Sequence, residues 1–239
     1  DWEKLARVKF YDSGIDEVTL ENLSKNVSKV VDENGEPLVV YRGDKEHMGY
    51  EFKLGLNLLA KPNANEFGFF FTSDYKVAEL YMKRDLWGEL ISGSVMGVFI
   101  KANRVIDISD LGYMVGGEQL VKKLKGSGID FDGFDKLESD IAGYNAKDYN
   151  KNDMDMYGYN TYDYFDLFPD LRKVLMGNGV DSIIFEETSR SHFPYKVYVA
   201  FEANQIKLAD GSNTTFNSSN PDTRFDSGGE VLVSDGIDI

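Results

Sequence analysis

The sequence predicts an α+β fold in which two antiparallel sheets pack against each other, with flanking helices and one long insertion. Several short apolar segments are rich in β-branched and aromatic residues, as strands are, whereas few segments show helical periodicity. The 239 residues are 42% hydrophobic and 28% charged, a composition typical of globular chains with one sizeable core. Short strands with few helices are expected to pack as layers around such a core.

The first elements are a helix, a turn and a strand. Apolar residues three to four positions apart predict a helix over residues 17–31. The Asp-Glu-Asn-Gly stretch at 32–35 predicts a turn, because Asn and Gly tolerate positive φ. The short β-branched run at 37–42 then predicts a buried strand.

A second strand and a helix follow. The Gly-Phe-Phe-Phe-Thr run at 68–72 predicts the strand, and either Ser73 or Asp74 can cap a helix that runs to about Arg84. That helix has Val77, Ala78 and Tyr81 on one face. Further strands are predicted at 95–101 and 104–108.

The pattern changes over residues 109–177, which we interpret as an insertion. Residues 144–164 within it are rich in Tyr, Asn and Asp and have little apolar periodicity. A helix at 170–176 ends at a Gly-Asn-Gly sequence, since glycine favours helix termination. Strands return at 181–186 and 195–202. We expect one domain over residues 1–209 and a Gly-, Ser-, Asn- and Asp-rich tail over residues 210–239.

Composition excludes several kinds of site. The formal net charge of −15 argues against an extended nucleic-acid surface, which needs clustered Lys and Arg. The chain has no cysteine and two histidines, so thiol catalysis, disulfides and thiolate or histidine-rich metal sites are excluded. An acidic metal site stays open, but no Asp/Glu spacing matches a calcium-binding loop, and we expect no metal. No run of 18 apolar residues occurs, so we expect no membrane-spanning helix.

The ends of two predicted strands carry side chains that suit a flat, positively charged ligand ring. Aromatic faces can sandwich such a ring, a glycine lets the backbone approach it closely, and an arginine can bind a phosphate. We therefore expect a ligand slot formed by Tyr41, Arg42, Gly43, Phe70, Thr72, Ser73 and Tyr81.

Two stretches of the chain resemble the ADP-ribosyltransferase domains of phage polyvalent proteins. The first runs from Lys29 to Tyr81 and contains the Tyr-Arg-Gly and Gly-Phe-Phe-Phe-Thr-Ser-Asp sequences. The second comprises residues 198–207 and 220–225, and the resemblance extends over roughly residues 29–108 and 178–226. It implies the ADP-ribosyltransferase fold, NAD as substrate, and mono-ADP-ribosyltransferase or NAD glycohydrolase activity. It also implies a phage-encoded protein, in the host cytoplasm or the virion, with a protein or small-molecule acceptor and other phage proteins as partners.

The resemblance assigns roles to individual residues. Gly43 would bind the nicotinamide carboxamide, and Phe70 and Tyr81 would sandwich the ring. Arg42 replaces the histidine of the usual Tyr-His-Gly motif; transferases of the Arg-Ser-Glu kind also have arginine here, where it supports the NAD phosphate and ribose. Thr72 and Ser73 partly match the Ser-Thr-Ser strand of those transferases.

The expected catalytic glutamate is absent from its usual place. Related proteins have it just before the segment that begins at Tyr198, where this chain has Val197 preceded by Lys196. The nearest upstream carboxylates are Glu186 and Glu187, and our candidate catalytic residues are Glu187 and Arg42.

Each of these residues also has a plainer interpretation. Phe70 and Tyr81 suit a hydrophobic core, Thr72 and Ser73 a helix cap, and Arg42 and Glu187 a strand end at the surface. Three hypotheses therefore stand: an NAD-dependent transferase or glycohydrolase, an NAD-binding module without catalysis, and a structural component of a phage particle.

Overall fold

The computed structural model describes residues 28–35, 37–45, 52, 54, 66–84, 90–137, 139, 159–160, 164, 170–188, 193–209 and 223. The strands within these ranges are β1 Val40–Asp44, β2 Phe69–Thr72, β3 Lys83–Arg84, β4 Leu90–Ser92, β5 Ser94–Ile100, β6 Val105–Asp107, β7 Met114–Val115, β8 Tyr159–Asn160, β9 Ser182–Thr188, β10 Pro194–Ala200 and β11 Ile206–Leu208. The helices that lie wholly within these ranges are α1 Tyr75–Glu79, α2 Gly117–Gly126 and α3 Leu171–Gly177, with 3₁₀ turns at Ser109–Leu111 and Ala203–Gln205.

A mixed sheet organises the described part of the chain. Its seven strands lie in the order β11-β5-β1-β2-β10-β9-β6, and two-stranded ribbons form from β3 with β4 and from β7 with β8. All neighbours in the large sheet are antiparallel except β6 and β9, which are parallel. The α+β class is as predicted.

The two separate antiparallel sheets of the prediction are instead joined into this one sheet. The half β11-β5-β1 meets the half β2-β10-β9-β6 through β1 and β2, whose register consists of the single pair Tyr41 and Thr72. Strand patterns in a sequence show which segments are extended, but they do not show which edges pair. The sequence therefore did not predict that the two halves of the sheet meet through a single residue pair.

Side chains alternate between the two faces of this sheet, and each face has its own core. One face, here called the Tyr41 face, carries Tyr41, Thr72, Val197 and Phe185, which are neighbours across successive strands. The opposite face, called the Arg42 face, carries Val40, Arg42, Phe71, Tyr198 and Ile184.

Part of the predicted insertion at 109–177 packs on the sheet. Helix α2 contributes Leu120, Val121 and Leu124, and helix α3 contributes Leu171 and Leu175, to the core of the Tyr41 face. The spacing of these leucines and valine on each helix produces the apolar stripe that packs against a sheet. The limits of the domain and of the insertion remain predictions, and most of residues 144–164 lie outside the described residues.

The local predictions for the first 45 residues have mixed outcomes. Residues 17–27 of the predicted helix lie outside the described residues, and residues 28–31 are not helical, since Val31 forms a β-bridge with Pro37. The turn at 32–35 is confirmed: Gly35 has φ 80° and donates to the carbonyl of Asp32. The strand predicted at 37–42 begins later, at Val40, and continues to Asp44.

Later elements agree more closely, including β2, β5, β6, β9, β10 and α3. The predicted tail at 210–239 lies outside the described residues except for Thr223, which is buried and accepts a hydrogen bond from the Leu208 amide at 3.1 Å. None of the helices that the structure describes is long and apolar enough to cross a membrane.

Candidate active site

Gly43 lies on the Tyr41 face, where α1 approaches the sheet. A Cβ atom added to Gly43 would lie 1.8 Å from the Ala78 carbonyl oxygen and 3.4 Å from the Cβ of Tyr81. No L side chain fits this space without displacing backbone, so glycine is required for the close approach. The strand end, the helix and Tyr81 are thereby held together at one place.

Thr72 and Asp74 begin α1. The Thr72 hydroxyl accepts from the Asp74 amide at 3.1 Å, and the Asp74 carboxylate accepts from the Lys76 amide at 2.8 Å. Capping of this kind satisfies amides that have no partner within the helix. Thr72 is buried opposite Tyr41, so the cap also fixes the helix at the narrow join of the sheet.

Ser73 is directed to the opposite face from Thr72. It is exposed and its hydroxyl hydrogen-bonds with Tyr198. Burial raises the pKa of the Tyr198 phenol, and the hydrogen bond with Ser73 opposes that rise. Thr72 and Ser73 therefore do not act on the same side of the sheet, although both were predicted to line the slot.

Tyr41 has an aromatic partner on α1. Its ring meets that of Tyr75 edge to face, with centroids 5.4 Å apart. This geometry is a favourable one for aromatic pairs, because the positive edge of one ring faces the negative face of the other. Tyr41 thus helps to seat α1 on the Tyr41 face.

The helix prediction for Tyr81 was wrong, because α1 ends at Glu79 and the chain leaves it to form the β3–β4 ribbon. Tyr81 therefore does not share a buried helix face with Val77 and Ala78. It is 53% exposed, and its hydroxyl lies 3.3 Å from that of Tyr195 on β10. Tyr81 spans from the vicinity of Gly43 to β10, which keeps it on the Tyr41 face.

Phe70 shares this face but lies deeper. It is opposite Val199 in the β2–β10 ladder and packs, partly buried, against the core. Of the two residues predicted to sandwich a ring, Tyr81 is thus exposed and Phe70 is partly a core residue.

The β9–β10 register separates the two candidate carboxylates. Glu187 lies opposite Tyr195 on the Tyr41 face, whereas Glu186 lies opposite Lys196 on the Arg42 face. Directly opposed residues in an antiparallel pair have Cβ atoms about 4.5–5.5 Å apart, so Glu187 is the cross-strand neighbour of Tyr195, whose hydroxyl meets that of Tyr81. These three residues are called a row below. One Glu187 oxygen accepts from the Thr188 amide at 2.9 Å.

Val197 occupies the place at which the resemblance would put a glutamate. It is 3% exposed and lies between Thr72 and Phe185 on the Tyr41 face. Its surroundings are those of a core side chain, where an unpaired carboxylate would be costly.

Arg42, like Ser73, lies on the opposite face from the other residues of the predicted slot. Because side chains alternate along β1, Arg42 and Phe70 cannot both face the same side, although their strands are neighbours. The Arg42 Nε donates to Asp44 Oδ2 at 3.0 Å, and its Cζ lies 5.9 Å from the centroid of the Phe52 ring. Burial raises the pKa of Asp44, while the charge and hydrogen bond of Arg42 oppose that rise.

The structure thus brings Gly43, Thr72 and Tyr81 together at α1, with Tyr41 and Phe70 on the same face. Glu187 shares that face and lies beside Tyr195, whereas Arg42 and Ser73 are on the other face. Sequence reasoning missed Tyr195, Asp44 and Phe52. Tyr195 could have been predicted to face the same side of the sheet as Val197, because side chains alternate along a strand and the two residues are two positions apart. Asp44 could have been found as an acidic residue two positions after Arg42 in a strand. Among the described residues, no group of three or more His, Asp or Glu side chains could hold a metal ion.

The comparisons with known proteins point to one family. A family model described as ADP-ribosyltransferase in polyvalent proteins matches residues 32–216, which is more than half of the chain. Neither the curated proteins nor the solved structures include a significant match. The matched range includes every strand of the large sheet and every residue of the row that ends at Glu187. The chain therefore belongs to the ADP-ribosyltransferase family of polyvalent proteins.

Proposed function

We propose that the protein cleaves the nicotinamide glycosidic bond of NAD and transfers the ADP-ribose, with the reaction centre on the Tyr41 face beside Gly43 and Tyr81. Membership of the family supports ADP-ribosyltransferase activity. The observation that carries the proposal of a used site is the row Glu187, Tyr195 and Tyr81, which extends from a carboxylate to an exposed aromatic ring next to a close-packed glycine.

In this proposal each group at the site has its own role. The backbone at Gly43 binds the carboxamide of nicotinamide, and the exposed ring of Tyr81 stacks on the cationic nicotinamide, supported from below by Phe70. Departure of nicotinamide leaves an oxocarbenium-like ribose. Glu187 stabilises that cation electrostatically and orients the acceptor nucleophile, which is the role of a carboxylate in such reactions.

Arg42 takes a different role from the one predicted. Its place on the opposite face and its bonds to Asp44 argue against direct contact with the nicotinamide ring. We infer that Arg42 stabilises β1. It is near the NAD phosphate only if the bound NAD extends around the end of that strand.

A second function is favoured by Val197. Its burial in the usual place of the catalytic glutamate fits a protein that binds NAD without turning it over. The two candidates differ in whether Glu187 has replaced the missing carboxylate. In both, NAD is the ligand.

One set of assays decides between them. NAD should raise the melting temperature of the wild type, because a ligand that binds only the folded state stabilises it. Wild type should also release nicotinamide, and Glu187→Gln should lose most of that release while keeping its NAD affinity. The matched control is Glu186→Gln, the same change one residue away on the opposite face, which should keep full activity.

Each result of these assays favours or excludes a particular candidate function. NAD binding without nicotinamide release in wild type would favour the binding module. Equal loss in Glu186→Gln and Glu187→Gln would remove Glu187 from the reaction centre. Absence of NAD binding would overturn both candidates and favour a structural component of the phage particle. We further propose that the acceptor is a protein and that the chain is phage-encoded, as the resemblance to the ADP-ribosyltransferase domains of phage polyvalent proteins implies.

A further inference from the structure

Gly43 stands between two residues that are bonded to each other. Since side chains alternate along a strand, Arg42 and Asp44 both emerge on the Arg42 face, and Gly43 is directed to the other face, toward Ala78. The ion pair therefore crosses the backbone of Gly43 on the side opposite the candidate active site.

The contact between Arg42 and Asp44 is bidentate. Arg42 Nε donates to Asp44 Oδ2 at 3.0 Å, and Arg42 Nη2 donates to Asp44 Oδ1 at 3.4 Å. The two side chains are 14% and 22% exposed, so water screens the pair only weakly. Two parallel bonds fix the orientation of both side chains as well as their separation.

Phe52 connects this pair to the next strand. The Arg42 guanidinium carbon lies 5.9 Å from the Phe52 ring centroid, and the Phe52 ring packs on Phe69 at 5.3 Å and on Phe71 at 5.7 Å. Phe69 and Phe71 belong to β2, which is in register with β1 only at Tyr41 and Thr72. Contacts through Phe52 therefore link the two halves of the sheet beyond their single paired position.

We propose that Asp44 and Phe52 are positioning residues that brace Gly43 through Arg42, and so hold the backbone that binds the nicotinamide carboxamide. This inference rests on the proposed function for its ligand, but the brace itself is a property of the free protein. Neither residue contacts the ligand in this proposal.

The physical need for a brace comes from the glycine. The close approach to Ala78 requires glycine at this position, and glycine loses more conformational freedom on ordering than any other residue. A binding site whose backbone is already ordered does not lose that entropy again when the ligand binds. The Arg42–Asp44 pair restricts φ and ψ on both sides of Gly43 without placing any atom in the site.

The test compares Asp44→Asn with Asp110→Asn. Both exchange a carboxylate for an amide and remove an ion pair, since Asp110 pairs with Lys123 at 2.7 Å, but Asp110 lies at the surface beside α2. Backbone ¹⁵N relaxation of the Gly43 amide reports order in the free protein, with Gly97 of β5 as an internal reference. NAD titration then reports affinity.

We expect Asp44→Asn to lower the order parameter of Gly43 but not that of Gly97, and to weaken NAD binding about fivefold through lost preorganisation. Asp110→Asn should change neither quantity. If Asp44→Asn does not fold, Arg42→Lys is the alternative, because it keeps the charge but loses the bidentate geometry.

An unchanged Gly43 order parameter in a folded Asp44→Asn protein would overturn the brace. A looser Gly43 with unchanged NAD affinity would overturn its positioning role. If wild type itself does not bind NAD, the proposed function fails, and the order parameter alone decides whether the brace exists.

Discussion

Val197 lies directly opposite Thr72 in the β2–β10 ladder, and only 3% of its surface is exposed. A glutamate at this position would place a carboxylate among apolar side chains without a basic partner on the same face of β10. We expect Val197→Glu to lower the free energy of unfolding by about 3–5 kcal/mol at neutral pH, the scale of an uncompensated buried charge. Chemical denaturation measures this directly.

Val197→Gln is the matched control, because it has the same length without the charge. An unpaired buried amide costs about 1–3 kcal/mol, so the glutamine variant should be the more stable of the two. Desolvation raises the pKa of a buried carboxyl. The difference in unfolding free energy between the two variants should therefore decrease as the pH falls and the glutamate takes up a proton. Equal stability of Val197→Glu and wild type would mean that the position is open to solvent. In that case a glutamate there could restore a conventional active site.

Gly43 provides a second test of the site. A methyl group at Gly43 would collide with the Ala78 carbonyl, from which it would be 1.8 Å away. We expect Gly43→Ala to lower stability by about 3 kcal/mol, at the upper end for overpacking, because backbone must move. Thermal and chemical unfolding, together with NAD titration, measure the change.

Gly126→Ala is the opposite control. A Cβ atom at Gly126, the last residue of α2, would meet nothing within 4 Å. Alanine has a helix propensity about 0.5–1 kcal/mol better than glycine, so this variant should be slightly more stable than wild type. If Gly43→Ala were equally harmless, α1 would not be seated on β1 as the structure shows.

Local patterns in the sequence predicted most of the sheet. The phenylalanine-rich β2 and the β-branched β9 and β10 were found because burial and β propensity act on short segments. The features that depend on strand pairing were not predicted. The single-pair join at Tyr41 and Thr72, and the parallel pairing of β6 with β9, are decided by which edges meet.

The candidate site shows the same division. The slot residues were predicted as one group, and Arg42 was placed with Phe70 although alternation along β1 and β2 puts them on opposite faces. Glu187 was preferred to Glu186 although the sequence could not distinguish them, and the β9–β10 register places the two side chains on opposite faces of the sheet. Tyr195 was missed because its contact with Tyr81 links residues 114 positions apart.

Tyr81 should contribute more to NAD binding than its neighbours in the chain. We expect Tyr81→Ala to weaken binding by roughly 1–2 kcal/mol, the scale of a lost aromatic contact. Leu80→Ala, a change at an adjacent residue that is also exposed, should have no effect on affinity. Tyr195→Phe removes only the hydroxyl 3.3 Å from that of Tyr81, and should cost at most about 1 kcal/mol. Unchanged affinity in a folded Tyr81→Ala protein would remove Tyr81 from the site.

Asp44 should titrate above the ordinary aspartate value of 3.8, because burial raises its pKa more than Arg42 lowers it. A raised pKa means that the folded state binds the proton more tightly than the unfolded state. The contribution of Asp44 to stability therefore increases as the pH falls through its folded pKa, and is smaller at neutral pH. Carboxyl ¹³C NMR of labelled aspartate measures the titration.

Arg42→Ala should raise the pKa of Asp44 further, because the variant removes the charge and the hydrogen bond that lower it. Arg42→Lys keeps the charge and should raise the pKa less. The pKa of Asp110 is the internal reference. The hydrogen bond with Lys123 lowers this pKa, so Asp110 should titrate below 3.8, and its pKa should be the same in both Arg42 variants as in wild type. If the Asp44 titration is the same in wild type and Arg42→Ala, the two side chains are not paired in solution, and the bidentate contact that braces Gly43 is absent as well.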